Sequence, residues 1–166
     1  MSMDQILETI RAFDGVFELA PVDGGPFPEI SWGDHFFYYA PDGQVPRNGQ
    51  PYATIVTKNY PDDSSSDLDR RDRWRLNIHI GRNAFTELVG ADPRASSAAV
   101  DFTAVDTVLP HPLYRGQGWI SIINPDVRTH VLAVGLLREA HDAARRRAAL
   151  RKSAAPAGET TSGTDR

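Results

Sequence analysis

The sequence predicts an α+β domain: a mostly antiparallel sheet with helices packed on one face, in the order α-β-β-β-β-α-β-β-α. Three observations carry this. Helical spacing of apolar residues is confined to both ends of the domain and to one short segment between them. Between those segments stand runs rich in β-branched and aromatic residues. The clearest, 74–80, alternates strictly: Trp74, Leu76, Ile78 and Ile80 share one face and Arg75, Asn77 and His79 the other. Strand runs follow one another before any helix intervenes, as antiparallel sheets flanked by helices require.

Each element has a local reason. Ser2-Met3-Asp4-Gln5 is a capping box, after which Met3, Ile6, Leu7, Ile10 and Phe13 recur at helical steps until Asp14-Gly15 ends the helix. A short strand is expected over 16–19 and a Gly- and Pro-rich loop over 21–28. An aromatic strand is expected over 35–40. It sets Phe36 and Tyr38 on one face and Phe37 and Tyr39 on the other, one pair in the core and the other lining or covering the sheet. A further strand is expected over 52–58. The stretch 59–73 holds five Asp, three Arg and three Ser, and reads as an exposed, mobile loop. A helix over 82–89 stops at Gly90, a linker of small residues spans 92–103, and strands are expected over 105–109 and 119–123. Asn124-Pro125-Asp126 reads as the start of the last helix, with Val127, Val131, Val134, Leu137, His141, Ala144 and Ala148 as its packing face. The domain is expected to span 1–148, followed by a disordered tail over 149–166.

The chain has 166 residues, enough for one self-supporting domain, and no cysteine. That excludes disulfides, thiolate metal sites and a cysteine nucleophile, and it suits a reducing compartment. The first residues have no basic segment followed by an apolar run, and no stretch approaches the ~20 apolar residues of a membrane helix. A cytoplasmic location is therefore expected. The net charge is −4, but from Arg145 onward six basic residues face two acidic ones, which leaves −8 on the first 144 residues. Such a body repels nucleic acid and anionic membranes, and only the basic C-terminal end would attract them.

The segments Ile30-Ser31-Trp32-Gly33-Asp34-His35-Phe36-Phe37-Tyr38-Tyr39-Ala40-Pro41, Ala53-Thr54-Ile55-Val56-Thr57-Lys58, Arg75-Leu76-Asn77-Ile78 and His111-Pro112-Leu113-Tyr114 through Gly118-Trp119 resemble a bacterial family of unknown function, over about residues 3 to 147. More distantly, Trp32-Gly33-Asp34 before a strand, Leu76-Asn77 leading to a short helix, and a final strand opening on Trp119 resemble the MmcQ/YjbR-like proteins. That likeness implies a frataxin-like (CyaY-like) fold. Those relatives carry a Lys-rich His-Trp segment where this chain reads Tyr114-Arg115-Gly116-Gln117-Gly118-Trp119, and 59–73 looks like an insertion. The DNA binding suggested for such relatives does not suit a body of charge −8.

Arg75, Asn77 and His79 are the leading candidates for chemistry. An Arg fork binds carboxylate or phosphate, Asn orients, and His moves protons near neutral pH; the competing reading is a solvated strand face. His111, Tyr114 and Trp119 stand where they can join that face. Trp32-Gly33-Asp34-His35 reads as structural, and His141 as a core-edge histidine with satisfied nitrogens. No metal or cofactor is expected: there is no His-Glu-x-x-His, no phosphate-binding glycine pattern and no nucleophile elbow. Three functions follow in order. The first is a binding module whose open sheet face receives a small anionic ligand or a partner segment. The second is a small enzyme with His79 or His111 as general base and Arg75 as anion clamp. The third is weak nucleic-acid binding through the basic helix end.

Overall fold

In the computed structural model, which describes residues 1–90 and 99–154, the capping box forms as read. The Ser2 hydroxyl accepts from the Gln5 amide and the Gln5 side chain from the Ser2 amide, so helix α1 (Met3–Arg11) is closed at its N-terminus by local chemistry alone. Six strands follow: β1 (Val16–Leu19), β2 (His35–Tyr39), β3 (Ala53–Val56), β4 (Arg75–His79), β5 (Leu109–Pro110) and β6 (Trp119–Ile123). Helix α2 (Arg82–Val89) lies between β4 and β5, and α3 (His130–Ala154) comes last. The strands form one open sheet in the order β1-β2-β3-β4-β6-β5, antiparallel at every pairing.

The register separates two faces. Phe37 stands opposite Ala53, Ala53 opposite Ile78, and Ile78 opposite Ile120; Ile55, Leu76 and Ile122 form the adjacent row. These side chains meet Ile6 and Ile10 of α1, Phe85 of α2 and Ala133, Leu137 and Ala140 of α3 in one apolar cluster. The helices thus take a single face of the sheet. Burying each of these large aliphatic side chains contributes about 1.5–3 kcal/mol. The other face carries Phe36, Thr54, Asn77 and Ser121 in one row and Val56, Arg75 and Ile123 in the next.

Three expectations about elements change. First, the last helix begins at His130, not at Pro125. Asn124 adopts φ +45, and its side chain is committed elsewhere: it accepts from the Trp74 amide at 2.9 Å and donates to the Asp72 carbonyl at 2.7 Å. Asp106 takes over as cap, accepting from the amides of Asp126, Arg128 and Thr129 and from the Thr129 hydroxyl. Val127 and Val131 are therefore exposed, and the buried stripe runs through Ala133, Leu136, Leu137, Ala140 and His141. Second, the strand expected over 105–109 contracts to β5, with Val105 making a single bridge to Ile123.

Third, 59–73, expected as an exposed loop, is exposed only in part: it packs as a flap over the second sheet face. Leu68 joins Val56, Ile123 and Tyr60 in a small apolar cluster of its own, and Asp63 and Ser66 are buried. Asn59 and Asp69 close it by accepting from the amides of Leu68 and Asn59. Two of its polar residues, Asp63 and Ser66, serve a charge beneath it, while Asp62, Ser64, Ser65 and residues 69–72 face solvent. The linker expected over 92–103 lies largely outside the described residues. Of the expected tail, 149–154 belong to α3 and the remainder falls outside the described residues.

Candidate ligand-binding cleft

The flap does not cover the whole second face. Between it and the loop 111–117 a cleft of about 560 Å³ remains open, a size suited to a small organic ligand. Its floor is the sheet: Phe36 and Tyr38 of β2, Thr54 and Val56 of β3, Arg75 and Asn77 of β4, and Trp119 of β6. Tyr60, Asp62 and Asp63 stand on one wall and His111, Leu113 and Tyr114 on the other. The period-two alternation that sends Phe37 and Tyr39 toward the helices is what leaves Phe36 and Tyr38 here.

Arg75 is the organising charge, and it is 1% exposed. A lone buried guanidinium costs several kcal/mol, so it must be paired and fully hydrogen-bonded. Both terminal nitrogens donate to Asp63, as a fork across the two carboxylate oxygens. Nη1 also donates to the Ser66 hydroxyl at 2.8 Å, and Nε to Asn77 Oδ1 at 2.8 Å. Against the upward pull of its own burial, the Arg75 guanidinium holds the Asp63 carboxyl below the usual carboxylate range. Asn77 is thereby oriented: Oδ1 accepts from Arg75 and from the Ser121 hydroxyl, and Nδ2 donates to Thr54 Oγ1 at 2.9 Å. Because Thr54 Oγ1 accepts here, its own proton is left for the cleft.

His111 is 3% exposed and reaches the same polar cluster. Its Nδ1 lies 3.1 Å from the Leu113 amide and 3.0 Å from the Tyr114 amide, both of which donate to it. Nδ1 is therefore unprotonated and Nε2 carries the hydrogen. Among the described residues, the one atom in hydrogen-bonding range of Nε2 is Arg75 Nη2 at 3.4 Å, itself a donor. Burial, and then the Arg75 charge, push the imidazole down to about 3, against the smaller opposing pull of Asp63. The ring is a neutral, fixed donor at physiological pH.

A second buried carboxylate positions the flap wall. Asp34 is 0% exposed. Its Oδ1 accepts from the Thr57 amide and hydroxyl, each at 2.8 Å, and from Lys58 Nζ at 3.1 Å; its Oδ2 accepts from the Tyr60 hydroxyl. Burial, reinforced by that bond to Asp34, raises the Tyr60 pKa, so the phenol stays protonated. Gly33, at φ +85 and with its amide on the Pro21 carbonyl, makes the turn that delivers Asp34 inward. Trp32 is tied by its indole N–H to the Phe27 carbonyl. The Trp32-Gly33-Asp34 string is a structural device whose product is Tyr60 in the cleft.

Of the six candidate residues, Arg75, Asn77, His111, Tyr114 and Trp119 converge on the cleft. His79 does not line it. It lies past Trp119, ring centroids 5.4 Å apart, with Nε2 donating to the Gln117 carbonyl at 2.9 Å. Burial lowers its pKa. Nor is Arg75 an open anion clamp, since every donor nitrogen faces protein. His141 is satisfied on both nitrogens, by the Tyr52 hydroxyl and the Asp14 carbonyl. The residues that sequence reasoning missed are Asp63, Tyr60 and Thr54. One signal pointed to Asp63: an arginine on a mid-sheet strand needs a carboxylate, and the Asp-rich 59–73 stretch is the nearest supply.

The model of a family of unknown function (DUF6194) matches residues 1–153. The chain belongs to this family. No curated protein and no solved structure matches the chain. Among the described residues no helix is long and apolar enough to cross a membrane, and no three His, Asp or Glu side chains are grouped to hold a metal ion.

Proposed function

We propose that this member of the DUF6194 family is a small-molecule binding module whose cleft takes a planar, acceptor-bearing ligand. One observation carries the reading: the buried polar network ends at the cleft floor in donors. The Thr54 hydroxyl has its acceptor site filled by Asn77, and His111, which lines the same cleft, has no protein acceptor for its Nε2–H among the described residues. A carbonyl oxygen or ring nitrogen lying on the floor satisfies both. Phe36, Tyr38, Tyr114 and Trp119 supply flat apolar surface around these donors, which suits an aromatic ring. The floor itself favours an uncharged group, because Asp63 already neutralises Arg75.

Two other readings have less support. General-base catalysis needs an unprotonated nitrogen facing substrate; the free nitrogen of His111 is occupied by two amides, and His79 stands outside the cleft. Nucleic-acid binding meets an acidic body. The CyaY/YjbR-like assignment is a proposal supported by the element order and the one-sided helices. A cytoplasmic place of action is supported by the absence of cysteine.

The test is a ligand-observed NMR screen of aromatic fragments, repeated on Thr54→Val and Trp119→Ala. Fragments with a carbonyl or ring-nitrogen acceptor should bind the wild type and lose binding in both variants. Hits that bind both variants as well as the wild type would remove the cleft from consideration.

A further inference from the structure

The cleft has a neighbour beyond Trp119. Tyr38, Gln50, Pro51 and Trp119 also line a smaller recess of about 120 Å³ on the far side, whose remaining lining includes Tyr39, Pro46 and His79 and, from α3, Ala144, Arg147 and Arg151. These four shared residues make the two spaces adjacent. Their chemistry differs sharply. The cleft floor is neutralised internally, whereas the recess holds uncompensated positive charge. Among the described residues neither Arg147 nor Arg151 has a carboxylate within ion-pair distance, although neighbouring Arg145 is paired with Asp142. Desolvation, and then the adjacent charges of Arg151 and Arg146, lower the Arg147 pKa. The spacing i, i+4 places the two guanidinium groups on one helix face, toward the same recess.

We propose that the ligand of the cleft is an aromatic ring bearing an oxyanionic arm, phosphate or carboxylate, and that Arg147 and Arg151 receive the arm while Thr54 and His111 receive the ring. This rests on the binding reading above and adds the ligand's charge and direction. The recess has room for a phosphate-sized group. A guanidinium fork matches the oxygens of either anion. Trp119 forms the shared boundary, with the ring on one side and the arm on the other. The anionic ligand that the sequence suggested for Arg75 is thus relocated: the buried arginine builds the cleft, and the helix arginines read the charge.

Matched probe pairs decide it: adenosine with adenosine 5′-monophosphate, uridine with uridine 5′-monophosphate, and indole with indole-3-acetate. Each is titrated by NMR against the full chain, against Arg147→Ala/Arg151→Ala and against Thr54→Val. In at least one pair the charged member should bind about tenfold or more tighter than its neutral partner at low salt. That advantage should vanish in the double arginine variant and shrink as salt rises, while Thr54→Val weakens both members. Retention of either anion type tells phosphate from carboxylate. Equal affinity of neutral and charged members, or a preference that survives removal of both arginines, overturns the arm while leaving the binding reading intact. If no member of any pair binds, the binding reading fails and this inference with it.

Discussion

The two faces of the central sheet are built from alternate residues of the same strands, yet they solve burial in opposite ways. Toward the helices, Ile55, Leu76, Ile78, Ile120 and Ile122 are 0% exposed with no polar side chain among them. Toward the cleft, Arg75, Asn77 and Ser121 are almost as deeply buried, and each is held by hydrogen bonds. The first arrangement is cheap: apolar area leaves water and nothing must be compensated. The second demands a counter-ion, an oriented amide and a fixed imidazole tautomer, and an apolar sheet face of the same shape would be at least as stable. On the binding reading proposed above, a fold that retains such a charged network on one face, and leaves its last donors opening onto a cleft, has put specificity there rather than stability. The contrast yields predictions that differ by face.

The largest effect is expected at the ion pair. Asp63→Ala leaves the Arg75 guanidinium buried and unpaired, and should cost about 3–5 kcal/mol in urea unfolding. Replacing both partners with apolar residues, as Asp63→Leu with Arg75→Met, should recover much of that loss while abolishing ligand binding. If Asp63→Ala costs less than about 1 kcal/mol, the flap is not the clamp that the geometry implies. On the opposite face Ile78→Ala should cost about 2–5 kcal/mol through lost transfer energy and a cavity. Its ligand affinity, measured where the variant remains folded, should stay near wild type. A matching loss of affinity would mean that the faces are not separable.

The next effect depends on pH. His111 titrates near 6.5 when unfolded but is held down to about 3 in the fold. Between those values the unfolded chain binds a proton that the folded chain refuses, so stability falls as pH drops below about 6.5 and the loss is complete near 3. At pH 4.5 the His111 contribution amounts to about 2–3 kcal/mol relative to pH 7. His111→Asn keeps an acceptor for the Leu113 and Tyr114 amides but does not titrate. Its urea midpoint should therefore change less between pH 7 and 4.5 than that of the wild type. Parallel losses in both proteins would show that the imidazole is not held neutral by the cleft.

How much of this was legible in the sequence follows the same division. The helix face was readable because apolar periodicity is a local signal. Leu76 and Ile78, the aromatic alternation of 36–39 and the capping box at Ser2 are all set by neighbours in sequence. The cleft was readable only in part. Alternation put Arg75 and Asn77 on the correct face, and Trp119, His111 and Tyr114 were named with them, but their partners lie far along the chain. The need of Arg75 for a carboxylate points to the Asp-rich 59–73 stretch, but nothing local picks out Asp63 within it, or reveals that Asp106 rather than Asn124 caps α3 or that Asp34 fixes Tyr60. A run of Asp, Arg and Ser reads as solvated unless the buried charge awaiting it is already known. His79 shows the limit of periodicity: it shares a face with Asn77 but lies past Trp119, where strand spacing alone gives no warning.

The smallest stability effect should accompany one of the largest functional ones. Thr54→Val preserves shape and β-propensity but removes the hydroxyl that accepts from Asn77 Nδ2. The orphaned amide hydrogen faces a half-open cleft that water can enter, so the cost should be about 1 kcal/mol. Binding of an acceptor-bearing ring should nevertheless fall by roughly tenfold or more, because the ligand's acceptor is then desolvated against a methyl group. Thr54→Ser, which keeps the hydroxyl, should restore affinity. A valine variant that binds as the wild type does would show that the Arg75–Asn77–Thr54 chain stops at the protein surface. The polar face would then be an expensive way of closing a sheet rather than a means of reading a ligand.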